Sequence, residues 1–272
     1  MTQPTPLTDT AALTRNRARA HLSALFLQEA ARDEVEDRLE MVNKSFSSAG
    51  IVAAFPSLWH GRIDGAEVLP ETETLALTPA THDLVIHSLG LHWANDPVGQ
   101  LIQCRRALRA DGLLLAVGLG GQTLHELRAC LAESEAMETG GLSPRVAPMA
   151  EVRDLGALLQ RSGLALPVAD TVSLRVQYQS MWHLMRDLRA MGETNALAAR
   201  TRSLTRRNIL NRAADIYANG FPGDDGGIIA TFELIVLTGW APDDSQQKPL
   251  RPGSAQARLA DALKTDETPL SD

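Results

Sequence analysis

Apolar residues recur along this chain at two intervals, and the changes between them mark where helices give way to strands. From Thr10 to about Asn43, Leu13, Leu22, Leu25, Phe26, Val35, Leu39 and Val42 return at helical spacing among charges, which predicts one or two amphipathic helices. Ala49 to Phe55 is a short apolar run that predicts a buried strand ended by Pro56. From Trp59 to Thr81, Gly61, Gly65, Pro70 and Pro79 break any long element, leaving room only for a short strand over Glu67 to Leu69. Asp83 to Ser88 is a compact β-rich run, Pro97 to Arg109 has helical periodicity, Asp111-Gly112 reads as a turn, and Leu113 to Val117 is the next strand. Further on the pattern predicts helices over Thr123 to Met137 and Glu151 to Ser162, and a strand over Val172 to Tyr178. Helices over Met181 to Met191 and Arg206 to Ala218 follow, then a last strand over Ile228 to Thr238. The polar tail after Pro242 is expected to wrap the surface or fray.

The strand, helix, Asp-Gly turn and strand between Asp83 and Val117 form a βαβ unit, so its two strands should lie parallel with a right-handed crossover. Alternating strands and helices define an α/β class with a doubly wound, mostly parallel sheet whose last strands are antiparallel. The expected organisation is an N-terminal helical segment over 1–45, a main domain over 46–241 with a helical insertion at about 179–220, and a tail over 242–272.

Composition narrows the function. The 272 residues, 44% of them hydrophobic, suffice for one substantial core. A net charge of −7 excludes a general nucleic-acid binder, because phosphate contacts need clustered Lys and Arg. A protein partner or a small-molecule acceptor fits instead. Cys104 and Cys130 form no Cys-x-x-Cys pair and no zinc spacing, so no metal is expected and a reducing compartment is the simplest reading. No apolar stretch approaches the ~18 residues of a membrane span and no signal peptide is evident, which gives an expectation of a cytoplasmic protein. Arg15, Arg17 and Arg19 could pass for a transit segment, but the helical pattern runs on unbroken to Leu39.

The run Asp83-Leu84-Val85-Ile86-His87-Ser88-Leu89-Gly90-Leu91-His92-Trp93 resembles the fourth strand and following loop of type 11 methyltransferases that use S-adenosylmethionine (SAM). The helix Gln100 to Arg109 and Ala110-Asp111-Gly112-Leu113-Leu114 continue the likeness. Narrower matches are Gly120-Gly121-Gln122-Thr123-Leu124-His125-Glu126-Leu127-Arg128, Gly141-Leu142-Ser143-Pro144-Arg145-Val146 and Asp154-Leu155-Gly156. Arg186-Asp187-Leu188-Arg189-Ala190-Met191-Gly192-Glu193-Thr194-Asn195 and Ala230-Thr231-Phe232-Glu233-Leu234-Ile235 complete them, in order and at the right spacing. On these the chain is similar to bacterial relatives of the mitochondrial complex I assembly factor with arginine hydroxylase activity, and more distantly to the malonyl carrier-protein methyltransferase of the biotin pathway. The resemblance implies a class I methyltransferase-like, Rossmann-like fold, SAM as cofactor, and either a modifying enzyme or an assembly factor for respiratory complex I.

One segment departs from that family. Its members carry a glycine-rich loop after the first strand, which lets amides approach the cofactor. Here the place reads Phe46-Ser47-Ser48-Ala49-Gly50-Ile51-Val52-Ala53-Ala54-Phe55-Pro56. Ile51 to Leu69 offers only about 20 positions where each missing βαβ unit takes roughly 30 or more, so the cofactor half is expected to be truncated and the SAM site degenerate.

The resemblance leaves Gly50, Glu71, His87 and Ser88 as cofactor-side candidates, with Glu71 more readily read as a solvated loop carboxylate. His92 and Trp93 fall at a strand's carboxyl end, where open α/β sheets place ligands. Glu126, Arg128, Arg189, Glu193 and Asn195 are the remaining substrate-side candidates. For Glu126 and Arg128 the alternative is a solvated helix face, and for Glu193 and Asn195 helix-end capping. His82, His87 and His92 recur every five residues, but odd spacing on a strand sends successive side chains to opposite faces, so no metal site is expected. Gly118-Leu119-Gly120-Gly121 matches a dinucleotide fingerprint only incompletely, with Thr123 at the third glycine position. No Gly-x-Ser-x-Gly elbow supports hydrolysis by a serine nucleophile.

Overall fold

A computed structural model describes residues 5–224 and 226–247. These form seven α-helices and six strands: α1 (Thr10–Arg17), α2 (Phe26–Met41), β1 (Ala49–Ala53), β2 (Glu67–Pro70), β3 (His82–Ser88), α3 (Pro97–Ala107) and β4 (Leu108–Leu119). The second half contributes α4 (His125–Thr139), α5 (Val152–Arg161), β5 (Ala165–Tyr178), α6 (Met181–Ala190), α7 (Arg207–Gly220) and β6 (Ile228–Trp240). One compact unit extends to Pro242; beyond it Asp243 caps a short turn by accepting from the amide and hydroxyl of Ser245. From residue 248 the polar tail read in the sequence lies outside the described residues.

The six strands form one sheet in the order β2-β1-β3-β4-β6-β5. β2, β1, β3 and β4 are mutually parallel, and β6 runs antiparallel to both β4 and β5. The sequence reading made the last strands antiparallel; the structure reverses β6 alone, because α6 and α7 return the chain between its two parallel neighbours.

Alternation within the strands separates two cores. Ile51, Leu84, Ile86, Leu113, Leu115, Val117, Leu234 and Val236 face α2, α4, α6 and α7. Val52, Val85, Leu114, Ala116, Ile235 and Leu237 face α3 and α5. The central strands are buried on both faces, which is why their sequences read as continuous apolar runs.

Two boundaries differ from the sequence reading. α3 stops at Ala107, and the Asp111-Gly112 pair lies inside β4, where Asp111 has φ +57° and the pairing with β3 shifts register. β5 begins at Ala165 rather than Val172, its early residues including the Pro167 that an edge strand tolerates.

The short connection after β1 is as the residue count requires. Between Ala53 and His82 the chain makes a 3-10 turn at Pro56–Leu58 and the strand β2, with no α-helix. The chain moves outward from β1 to β2 and returns inward to β3, so the topological switch point lies between β1 and β3.

Candidate functional site

At the carboxyl end of β3 the backbone is forced into an uncommon shape. Leu89 has φ +45°, a left-handed conformation that a bulky side chain rarely adopts, and its amide donates to Val117 O at 2.9 Å. This turn leads through Gly90 into the 3-10 turn Leu91–Trp93, which packs against β4 and α3. Gly90 itself has an ordinary φ of −122°, yet a Cβ there would meet the Glu71 carboxyl carbon at 2.2 Å. Glycine is present for close approach, since the carboxylate lies against the backbone.

Glu71 directly follows β2, and Arg17, the last residue of α1, donates from Nη1 to its Oε2 at 2.7 Å. The pair is nearly enclosed, with side chains 13% and 9% exposed. Glu193 accepts from Trp93 Nε1 at 2.6 Å and lies 3.4 Å from His92 Nε2. Burial pushes the Glu193 carboxyl up, but the bonds and charges of His92, Arg17 and Trp93 outweigh it and hold it below the usual carboxylate range. His87 is fully buried, desolvation lowers its pKa, and its Nε2 sits 3.3 Å from Gln100 Oε1, whose amide donates to Thr72 O and Glu73 O. Buried polar atoms without a partner concentrate here: Arg17 Nε and Nη2, His87 Nδ1, Ser88 Oγ, His92 Nδ1 and Glu193 Oε1. Leu25, Leu27, Gln28, Leu89, Leu119 and Met191 help enclose a cavity of about 10 Å³, room for a single water.

The structure thus brings Glu71, His87, Ser88, His92, Trp93 and Glu193 to one crevice at the switch point. Other candidates lie elsewhere. Gly50 is the second residue of β1, packed under Leu77 and His82 at the far end from the crevice. Glu126 is buried and accepts from the Thr231 amide and hydroxyl. Arg128 donates to the carbonyls of Gly121, Thr123 and Ala147. Asn195 donates to Pro144 O and accepts from the Leu197 amide. These three side chains saturate backbone groups and pin the loops around β4 and α4. Arg189 is exposed on the last turn of α6. The Gly120-Gly121 turn is also explained by close approach, since a Cβ on Gly120 would meet Glu233 Oε2 at 2.3 Å. His82 lies at the opposite end of β3 beside Ser48 and Glu67, so the three spaced histidines do not converge. Sequence reasoning missed Arg17 as a crevice residue. Nothing in one dimension marks it, because Glu71 is 54 positions away.

A mostly parallel, doubly wound sheet with one reversed strand and a polar crevice at its switch point defines an α/β protein of the Rossmann-like, methyltransferase-fold class. No family model matches the chain. It is 36% identical over 229 residues to the arginine-hydroxylase NDUFAF5, mitochondrial, of Rattus norvegicus, and 34% identical over 188 residues to the malonyl-[acyl-carrier protein] O-methyltransferase of Laribacter hongkongensis. These alignments cover 84% and 69% of this chain but 66% and 61% of the relatives, so the chain spans about two thirds of their length or less. A putative methyltransferase structure from Bacillus halodurans aligns at 11% identity and TM-score 0.49, over 77% of this chain and 99% of that one. The chain belongs to the methyltransferase-fold family that contains these arginine-hydroxylase and O-methyltransferase relatives. Among the described residues, no helix is long and apolar enough to cross a membrane.

Proposed function

We propose that this chain is a methyltransferase-fold protein with a degenerate SAM site, which acts as an assembly or scaffolding factor for a protein partner rather than as a methyl donor's enzyme. The observation that carries the reading is the closed crevice. A ligand of SAM's size needs several hundred Å³, whereas the cavity beside Leu89, His92 and Glu193, at the carboxyl ends of β3 and β4, is about 10 Å³. Glu71, at the strand end beside β1 where open sheets place a ribose-binding carboxylate, is engaged by Arg17. After β1 the chain presents Phe55 and Pro56 instead of glycine amides. Pro56 has no N–H, and the amides of Leu58 and Trp59 already bond Phe55 O and Pro56 O. A role in respiratory complex I assembly, inside the cell, rests on the resemblance to the arginine-hydroxylase relatives.

Isothermal titration with SAM tests this directly. The expected result is no saturable heat up to about 1 mM, which corresponds to binding weaker than roughly 4 kcal/mol. Saturable binding at tens of micromolar overturns it. A pull-down of the full chain is expected to retain a respiratory subunit, and recovery of no protein partner removes the scaffolding part. The second reading, an active SAM-dependent methyltransferase or related modifying enzyme on a protein or small acceptor, draws on the unpaired buried atoms of Arg17, Ser88 and Glu193, which a ligand could satisfy. The same titration separates the two.

A further inference from the structure

The two edges of the sheet are guarded unequally. β2 closes one edge with four residues that include Glu67 and Pro70, a charge and a residue without an amide hydrogen, both of which discourage further pairing. β5 closes the other edge with fourteen residues, and among the described residues it pairs with β6 alone, so its outer row of amides and carbonyls is open. Its guards stand only at the beginning, in Pro167 and the register shift between Ala165 and Val168. Beyond them the exposed side chains are Thr171, Ser173, Arg175 and Gln177. Charge is a weak guard here, because Arg38 answers Asp170 at 2.5 Å and Arg175 is the strand's only other charged residue.

Apolar surface lies at both ends of this strand. At its start Leu166 and Val168 are 46% and 55% exposed, and Leu166 is held at φ +49°, a left-handed backbone that a bulky residue rarely adopts. Just past its end, Ser180, Met181 and Trp182 line a groove of about 360 Å³ together with Ala218, Pro222 and Ile228, and Trp182 is 39% exposed. Within one chain Val168 and Ser180 are kept roughly 40 Å apart by the strand itself, at ~3.3 Å per residue. Antiparallel pairing of β5 with its own copy brings them together. A two-fold axis at Leu174 sets Tyr178 opposite Asp170 and carries Val168 of one copy to Ser180 of the other, twice in the dimer. The faces agree as well. Val168 shares its face with Asp170, which meets Arg38 of α2, and with Val172, Leu174 and Val176, which pack on the same core as Met181 at the groove. On the other face Ser173 meets Arg175, so like charges are not directly opposed.

We propose that β5 is the interface of a two-fold homodimer, in which the edge strands of two copies pair antiparallel over about residues 170–178. Their sheets join into one, and Val168 of each copy enters the groove beside Trp182 of the other. A second copy is the occupant because the strand carries its own complement: an open ladder for the backbone, a protruding apolar group at one end and a groove to receive it at the other. The ladder is about 30 Å long, which places the interface at the small end of stable ones and the expected Kd in the micromolar range. The proposal goes beyond the reading of the crevice and shares no residue with it.

The test uses the full chain. Sedimentation equilibrium between about 1 and 100 µM is expected to show monomer and dimer exchanging with a Kd on the order of 10 µM. Ser173→Arg sets arginines against each other on both sides of the axis and should raise that Kd about tenfold, while adding Arg175→Glu should bring it back to within about threefold. Val168→Asp should also weaken association by about tenfold. These positions are exposed, so circular dichroism should stay native. In the unaltered chain, amide exchange over 171–178 should slow as concentration rises through the Kd. A chain that stays monomeric to about 100 µM overturns the proposal. So does a dimer indifferent to Ser173→Arg, a charge exchange that restores nothing, or exchange over 171–178 that ignores concentration.

Discussion

Replacing Gly90 with alanine probes the crevice through a single methyl group. The backbone at Gly90 has φ −122°, which alanine adopts freely, so the cost comes from the contact alone. The new Cβ would stand 2.2 Å from the Glu71 carboxyl carbon, and an ordinary carbon contact of ~3.5 Å requires the carboxylate to withdraw by about 1 Å. The 2.7 Å bond from Arg17 then stretches beyond hydrogen-bonding range. A bond between charged groups contributes about 1.5–3 kcal/mol, and the narrower unfolded ensemble of alanine returns about 0.4–1 kcal/mol. The net expectation is a loss of roughly 1–2 kcal/mol, read from urea unfolding followed by circular dichroism. In a Glu71→Ala background the obstacle is gone, and Gly90→Ala should be neutral or stabilising by up to about 1 kcal/mol. A cost below about 0.5 kcal/mol in the unaltered chain, or the same cost in both backgrounds, would refute the reasoning.

Three other outcomes follow from the geometry. Arg145 donates twice to Glu135 and Ser143 donates twice more, which holds the Glu135 carboxyl at about 2. With the folded value below the unfolded one, its stabilisation is full above about pH 4.5 and is lost as pH falls toward 2, so Arg145→Ala should flatten the difference between urea midpoints at about pH 5 and pH 3; an unchanged difference counts against the assignment. The buried Glu193 carboxyl is also held low, so Glu193→Gln should leave a protein whose stability falls less between about pH 5 and 3, measured the same way. Phe232 is fully buried and edge-to-face with Phe26 at 5.7 Å; Phe232→Ala should cost about 3–5 kcal/mol, and a double-mutant cycle with Phe26→Ala should show coupling of about 0.5–1.5 kcal/mol, whereas zero coupling would show the ring contact to be incidental.

Much of this molecule is local in origin, and local information is legible in a sequence. The strands β1, β3, β4 and β6 are apolar runs because both of their faces are buried, and the helices carry their stripe at the matching period. The βαβ unit from β3 to β4 and the truncation after β1 follow from spacing alone, since the roughly 20 positions from Ile51 to Leu69 cannot hold two crossovers of roughly 30 each. His92, Trp93 and the strand end His87-Ser88 were readable as crevice residues because position at a strand's carboxyl end is itself a sequence feature. What tertiary structure alone decided is the pairing of charges across long separations. Arg17 and Glu71, or Trp93 and Glu193, meet only after the sheet brings the strand ends under α1 and the insertion. Arg128, Glu126 and Asn195 carry the functional groups of a binding site, yet each is committed to backbone atoms of a neighbouring loop, because a buried carbonyl or amide must be satisfied and these side chains were within reach. Residue type states what a side chain could do; which of its partners arrive first is settled by packing.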